Sequence, residues 1–232
     1  MNKRIVCVLL VLAALMLAAG AMAEPQVGEQ IVLGSYEQDN DLTNGQEPIA
    51  WRVLAVEGDE ALVISEYALD AKPYNEKGGR ASWVKSSLRA WLNAEFYDAA
   101  FTDAEKACIL TREIENWRET PTADPVFLLE NNQAKQLFAD HADRQAKPTE
   151  YAIAQGIYLS QKYGPGNIQW WLRTISWESR ARAAYVAASG GVMTCGGNSF
   201  GVVSNGKLAV RPALYVSLDA LNQMQQAETQ NP

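Results

Sequence analysis

The chain has 232 residues and an acidic balance, 27 Asp and Glu against 20 Lys and Arg, for a formal charge of −7. A surface of that sign repels phosphate backbones and anionic lipids, so nucleic acid is set aside as a partner. One histidine and three cysteines with no C-x-x-C spacing exclude a Cys/His zinc or iron site.

The chain opens with the basic pair Lys3-Arg4, an apolar run over 5–19 and the small-residue site Ala21-Met22-Ala23. These are the three parts of a cleavable secretory signal peptide, expected to cover residues 1–23. Gly20 and the Ala-x-Ala site end the run short of the roughly 20 apolar residues that a membrane span needs. Cys7 lies inside the run, so lipid attachment to a new N-terminal cysteine is not expected. Cleavage leaves 209 residues with a charge of about −9. The expectation is a secreted or otherwise extracytoplasmic protein, with a single domain over 24–220 and a polar, Gln-rich, frayed tail over 221–232. Cys108 and Cys195 survive processing, and a core of this size needs no staple between them.

Ile31-Val32-Leu33, then 49–56, then 61–65 read as successive strands of an antiparallel N-terminal sheet. Asn44-Gly45 and Gly58-Asp59 supply turn chemistry between them. Leu88, Trp91, Leu92 and Phe96 recur at helical intervals behind Ser86 and Ser87. Thr102 and Glu105 fit a capping box that opens a short helix reaching Ile109. Residues 116–125 carry Trp117, two prolines and no period, and read as a loop. Residues 126–129 are a strand candidate and 134–139 a helix, while Pro148 and Gly156 bound another helical turn. Beyond Tyr163 glycine becomes frequent, with strand-like islands at 170–173, 184–186 and 209–216. Pro212 confines its part of the last island to an edge or a bulge. Helices in the middle and sheet at both ends predict an α+β fold, mostly antiparallel, with two to four short helices and terminal strands that meet in one sheet.

Gly34-Ser35-Tyr36-x-Gln38, Ile49-x-Trp51-Arg52-Val53-Leu54, Tyr67-Ala68-Leu69-Asp70, Ser87-Leu88-Arg89-x-Trp91-Leu92-Asn93, Trp170-Trp171-Leu172-Arg173 and Val210-Arg211-Pro212-Ala213-Leu214 resemble the motifs of a family of uncharacterised exported bacterial domains. The C-terminal half is similar in turn to the C-type-lectin-like fold of sulfatase-modifying factors, through the tryptophan-rich strand, Tyr185-Val186 and the arginine-bearing last strand. Enzymes of that wider group use paired cysteines with copper or a histidine-rich iron site. One histidine and two distant cysteines do not match either arrangement, so the resemblance implies binding rather than catalysis.

Among local patterns, Gly197-Asn198-Ser199-Phe200-Gly201 matches G-x-S-x-G, but a strand and turn follow it and the only histidine precedes it, so it reads as a chance match. Asp39-x-Asp41-x-x-Asn44-Gly45 gathers oxygen ligands without the distal carboxylate of an EF-hand. No cofactor is expected, with calcium the one metal that this loop keeps open. Trp51, Trp91, Trp170 and Trp171 sit among apolar neighbours and read as core. Trp117 and Trp177 lie in polar loops, where an exposed indole stacks on a sugar ring or anchors a protein partner. Arg173, Arg180, Arg182 and Arg211 either receive an anionic group or pair with local carboxylates.

The sequence therefore predicts an exported, non-catalytic module that binds an extracellular glycan or protein on its Gly-rich C-terminal loops. Its candidate contact residues are Trp117, Trp177, Arg180, Arg182, Asn198 and Asn205. The alternatives are a carboxylate-dependent hydrolase acting on extracellular glycans and a structural cell-envelope protein.

Overall fold

The computed structural model of the chain describes residues 24–176, 179, 181–194 and 201–230. The expected signal peptide, and with it Trp177, Arg180, Cys195 and Asn198, lies outside the described residues.

In chain order the strands β1 (Gln30–Tyr36), β2 (Glu47–Glu57) and β3 (Glu60–Ser65) form the expected antiparallel meander. Gly58 alone has positive φ in the two-residue turn between β2 and β3, the arrangement of a type II′ hairpin. A short β4 (Asp70–Ala71) follows. The helical region begins with α1 (Ser87–Trp91), passes through one π-helical turn over Leu92–Phe96 and ends as α2 (Tyr97–Ala100). Ser86 caps it by accepting the Arg89 backbone N–H. The Thr102–Glu105 capping box opens α3 (Asp103–Cys108), which passes straight into β5 (Ile109–Leu110).

The stretch expected as a loop over 116–125 contains a strand. β6 (Arg112–Ile114) pairs with β7 (Thr122–Asp124), and Trp117 lies in the connection between them. The polar alternation of Thr122-Ala123-Asp124 hid this strand, because its buried side chains are a hydroxyl and a carboxylate. Residues 126–129 are fully buried but not a strand, joined to β12 by the Phe127–Ala213 bridge and to β8 by the Arg173 N–H bond to Leu129 O at 3.0 Å. Next come α4 (Asn131–Gln136), three residues earlier than its apolar residues predict, and α5 (Glu150–Ala154), capped by Thr149 and stopped at Gly156.

The C-terminal half supplies β8 (Trp170–Ile175), β9 (Ala183–Val186), β10 (Val192–Met193), β11 (Ala209–Val210) and β12 (Ala213–Ser217). Two five-stranded sheets result, ordered β1-β2-β3-β12-β5 and β10-β9-β8-β11-β4. Every pair is antiparallel except β8 with β11. The expected single strand over 209–216 is split at Arg211-Pro212, where the chain leaves the second sheet and enters the first; Pro212 has no N–H to continue a ladder. β12 then pairs with β3, so the two ends of the domain do share a sheet.

The stretch expected as a frayed tail instead forms α6 (Leu218–Gln230). Leu218 and Leu221 are buried, and the Met224 sulfur lies 3.9 Å from Cys108 Sγ. Asp59 in the β2–β3 turn accepts the Asp219 backbone N–H at 2.7 Å and the Ser217 hydroxyl at 2.7 Å, anchoring the start of α6. With α6 and the rod interrupted at 92–96, the described residues hold six short α-helical segments, more than the two to four expected.

The core is one cluster shared by both sheets, with Trp51, Trp83, Trp170 and Trp171 buried in it. Each indole N–H finds an acceptor: Leu33 O, Asp124 Oδ2, Arg144 O and Lys72 O. Trp91 is half-buried, with the Lys72 ammonium 4.5 Å from its ring centroid.

Candidate functional site

At the end of β8 the chain meets α4 and the β6–β7 tip, and a cavity of about 170 Å³ opens between them. Trp117, Glu130, Asn131, Asn132, Thr174 and Thr194 form its polar wall. Glu130 caps α4: its Oε2 accepts the Asn132 N–H at 2.8 Å, and its backbone N–H donates to Gln133 Oε1. The Thr174 hydroxyl donates to Glu130 Oε1 at 3.2 Å and accepts the Asn131 N–H at 3.0 Å. Both oxygens of Glu130 are thus occupied by the scaffold. Asn131 Oδ1, in contrast, is buried with no hydrogen-bond partner among the described residues. A buried acceptor without a donor costs about 1–3 kcal/mol, which a ligand hydroxyl or amide recovers.

Trp117 is held by the turn beneath it. The buried Asn116 donates through Nδ2 to Thr120 O and Thr122 Oγ1, and Arg118 adopts φ 58°, folding its guanidinium to 4.5 Å from the Trp117 ring centroid. The indole remains 38 % exposed. Ile175 separates this cavity from a second of about 460 Å³, whose lining includes Asn75, Arg80, Lys85, Arg118 and Glu119. Glu119 accepts the Trp83 backbone N–H at 2.7 Å. The second chamber therefore has a basic rim.

The sequence-predicted residues divide into three groups. Trp117 lines the first cavity, and Arg182 borders the neighbouring wall formed with Ser176, Tyr185 and Thr194, its Nη1 buried without a partner among the described residues. Thr194 is common to both linings. Asn205 lines neither cavity; its Oδ1 accepts the Lys207 N–H in a turn. Trp177, Arg180 and Asn198 lie outside the described residues. The described flanks of the two C-terminal loops do pair with each other, Ala183 N–H to Gly201 O at 2.9 Å and Val203 N–H to Ala181 O at 3.0 Å.

Arg173 and Arg211, considered as anion receptors or carboxylate partners, form no ion pair among the described residues. Arg173 is buried and donates to Leu128 O, Glu115 O and Gln133 Oε1. Arg211 is buried over the Trp170 ring and donates to Ser65 O and Glu66 O. Burial pulls both guanidinium groups down to about 10. Their main-chain partners are carbonyls at the end of β3, just beyond it at Glu66, and at Glu115 and Leu128, where the chain leaves acceptors inside the core.

Sequence reasoning missed Glu130, Asn131, Thr174 and Thr194. One signal was present: Glu130 followed by Gln133 is the reciprocal cap that marks a helix start, and it places Asn131 at the first turn.

The matched family spans residues 58–218, more than half of the sequence. The chain belongs to the DUF6273 family, described as a domain of unknown function. The DUF6273 span begins at the β2–β3 turn and ends at the first residue of α6, so it contains the whole second sheet and both cavities. β1 and β2, with the Gly34-Ser35-Tyr36 and Trp51-Arg52 motifs, precede it. No curated protein and no solved structure matches the chain.

Proposed function

We propose that this DUF6273 protein is a non-catalytic binding module that takes an extracellular glycan in the groove between the β6–β7 tip, α4 and the end of β8. The observation that carries the reading is the exposed Trp117 indole beside a cavity whose Asn131 Oδ1 is buried and unpaired. A sugar ring offers both an apolar face for the indole and a hydroxyl for the amide oxygen. The rim of Arg80, Lys85 and Arg118 favours a glycan with carboxylate or sulfate substituents. The carboxylates at the groove support binding rather than hydrolysis, because Glu130 and Glu119 already accept hydrogen bonds from the scaffold.

Export through a signal peptide over 1–23 belongs to the same proposal, as does a C-type-lectin-like organisation of the C-terminal half. Among the described residues no helix is long and apolar enough to cross a membrane. The groove differs in origin from the Gly-rich loops of the sequence reading: its described walls come mainly from the middle of the chain, and Thr194 is where it meets the Gly-rich stretch.

A glycan array probed with the chain from Glu24 onward tests the reading. Binding to one or more acidic glycans is expected. Trp117→Ala should lower affinity by about 1–3 kcal/mol, roughly five- to 150-fold, with the melting temperature nearly unchanged. Binding that survives Trp117→Ala and Asn131→Ala, or no glycan binding at all, overturns it.

A further inference from the structure

We propose that the β1–β2 connection is a calcium-class cation site formed by Glu37, Asp39 and Glu47. One carboxylate oxygen from each of the three lies within 4.8 Å of the others. An ion that holds its oxygens at about 2.3–2.6 Å spans oxygens up to about 5 Å apart, so one hard cation fits among them.

The hairpin register creates this convergence. Tyr36 pairs with Glu47, which puts Glu37 and Glu47 side by side at the base of the loop. Asp39 is then turned back toward them. Its Oδ1 accepts the Asp41 N–H and its Oδ2 the Asn44 side-chain amide, both at 2.7 Å, while Asn40 takes φ 63°. Glu47 Oε2 accepts the Gln38 N–H at 2.6 Å, and Gln38 Nε2 bonds Glu47 O and Pro48 O. From outside, the Tyr151 N–H holds Gln38 O at 3.0 Å. The loop is thus fixed by its own main chain before any ion binds.

A second observation separates this site from an ordinary acidic turn. Glu37 is only 7 % exposed, and its Oε1 is buried without a hydrogen-bond partner among the described residues. No Lys or Arg occurs between Tyr36 and Trp51, and no ion pair reaches the three carboxylates among the described residues. A buried carboxylate oxygen without a donor, beside two more carboxylates, is stabilised by a cation with oxygen preference. All three donors are hard oxygens, which selects against thiophilic and imidazole-seeking metals. Mg²⁺ requires a tighter octahedral set at about 2.0–2.1 Å. Asp41, which the sequence pattern offered as a ligand, is not in the cluster; it binds the Thr43 N–H and hydroxyl instead.

The test uses the full mature chain stripped with chelator. Calcium titrated by calorimetry, and Tb³⁺ titrated by luminescence excited through the aromatic residues, should each saturate at one ion per chain. Calcium should bind with a Kd at or below about 10⁻³ M and raise the melting temperature. Glu37→Gln and Asp39→Asn should each weaken calcium binding at least tenfold. Glu37→Gln removes a repulsive charge, so without metal it should melt at or above the wild-type temperature, which separates a lost ligand from a lost fold. No saturable binding up to about ten times that concentration, or binding indifferent to both substitutions, overturns the proposal.

Discussion

Replacing Gly190 by alanine should be among the most damaging single-methyl changes in the second sheet. Gly190 sits in the turn between β9 and β10 at φ 84°, where an L side chain costs about 1–2 kcal/mol. A Cβ built there would stand 1.6 Å from the His141 carbonyl oxygen and 2.6 Å from its carbon. These are main-chain atoms, so no rotamer change relieves the contact, and the turn must move by more than an ångström. That movement strains the Gly190 N–H to Ala187 O bond at 2.7 Å and the Arg144 Nε to Gly190 O bond at 2.8 Å. Forced overpacking of this kind adds about 1–3 kcal/mol, giving a total loss of about 2–5 kcal/mol. Urea unfolding at 25 °C, followed by tryptophan fluorescence and far-UV dichroism together, measures it. Against a domain stability of about 5–15 kcal/mol the midpoint should fall by a large fraction. A loss under about 1 kcal/mol would refute the close approach of the turn to His141.

Arg211→Lys should destabilise by about 2–4 kcal/mol, because one ammonium cannot replace a fork that reaches Ser65 O and Glu66 O while lying 5.2 Å from the Trp170 ring centroid. Thermal melts check this, and a near-neutral result would mean that those carbonyls do not need both donors. Asp70 is buried, with the Tyr36 hydroxyl at 2.9 Å and Lys72 Nζ at 3.7 Å, and burial raises its pKa. Its contribution is therefore fully present below the ordinary aspartate range near about 3.9 and is lost as pH rises through the raised value. Asp70→Asn should accordingly gain stability relative to wild type as pH rises from about 4 through the raised value, and parallel stability curves for the two proteins would contradict the burial argument.

What the sequence made legible follows from which forces dominate locally. The β1–β2–β3 meander was readable because its alternation, β-branched residues and turn glycine all agree. The Thr102 capping box was readable because both partners lie three residues apart. β7 was not, since its identity comes from burying Asp124 under Arg89, Trp83 and Thr122, contacts made 35, 41 and 2 residues away. α6 was missed because its polar residues dominate the composition, although Leu218, Leu221 and Met224 mark one face. The split at Arg211-Pro212 was only half visible: proline forbade a continuous ladder, but the sequence did not show that the chain changes sheets there.

The site divides along the same line. The polar residues of the motifs mostly hold the scaffold: Arg89 binds Asp124, Asn93 accepts the Val126 N–H, Arg52 bridges Glu66 and Asp143, and Arg173 and Arg211 hold carbonyls. Trp117 stood out because an indole in a polar loop is unusual. Asn131 and Thr194 did not: the Asn131 amide at the start of α4 becomes informative only once its oxygen is known to be buried without a partner among the described residues, and Thr194 only once the fold brings it to the cavity wall. For the acidic loop, spacing pointed to Asp39 and Asp41, whereas strand register brought Glu37 and Glu47 to Asp39 instead.

The groove is tested most directly by titrating isotope-labelled mature chain with the glycan that the array selects, following side-chain amide and indole N–H resonances by NMR. The Trp117 Nε1–H and the Asn131 side-chain amide should shift along one saturation curve, while the buried indoles of Trp51, Trp170 and Trp171 stay in place. Saturable shifts confined to other surfaces, with Trp117 and Asn131 unmoved, would contradict the assignment of this groove as the binding site.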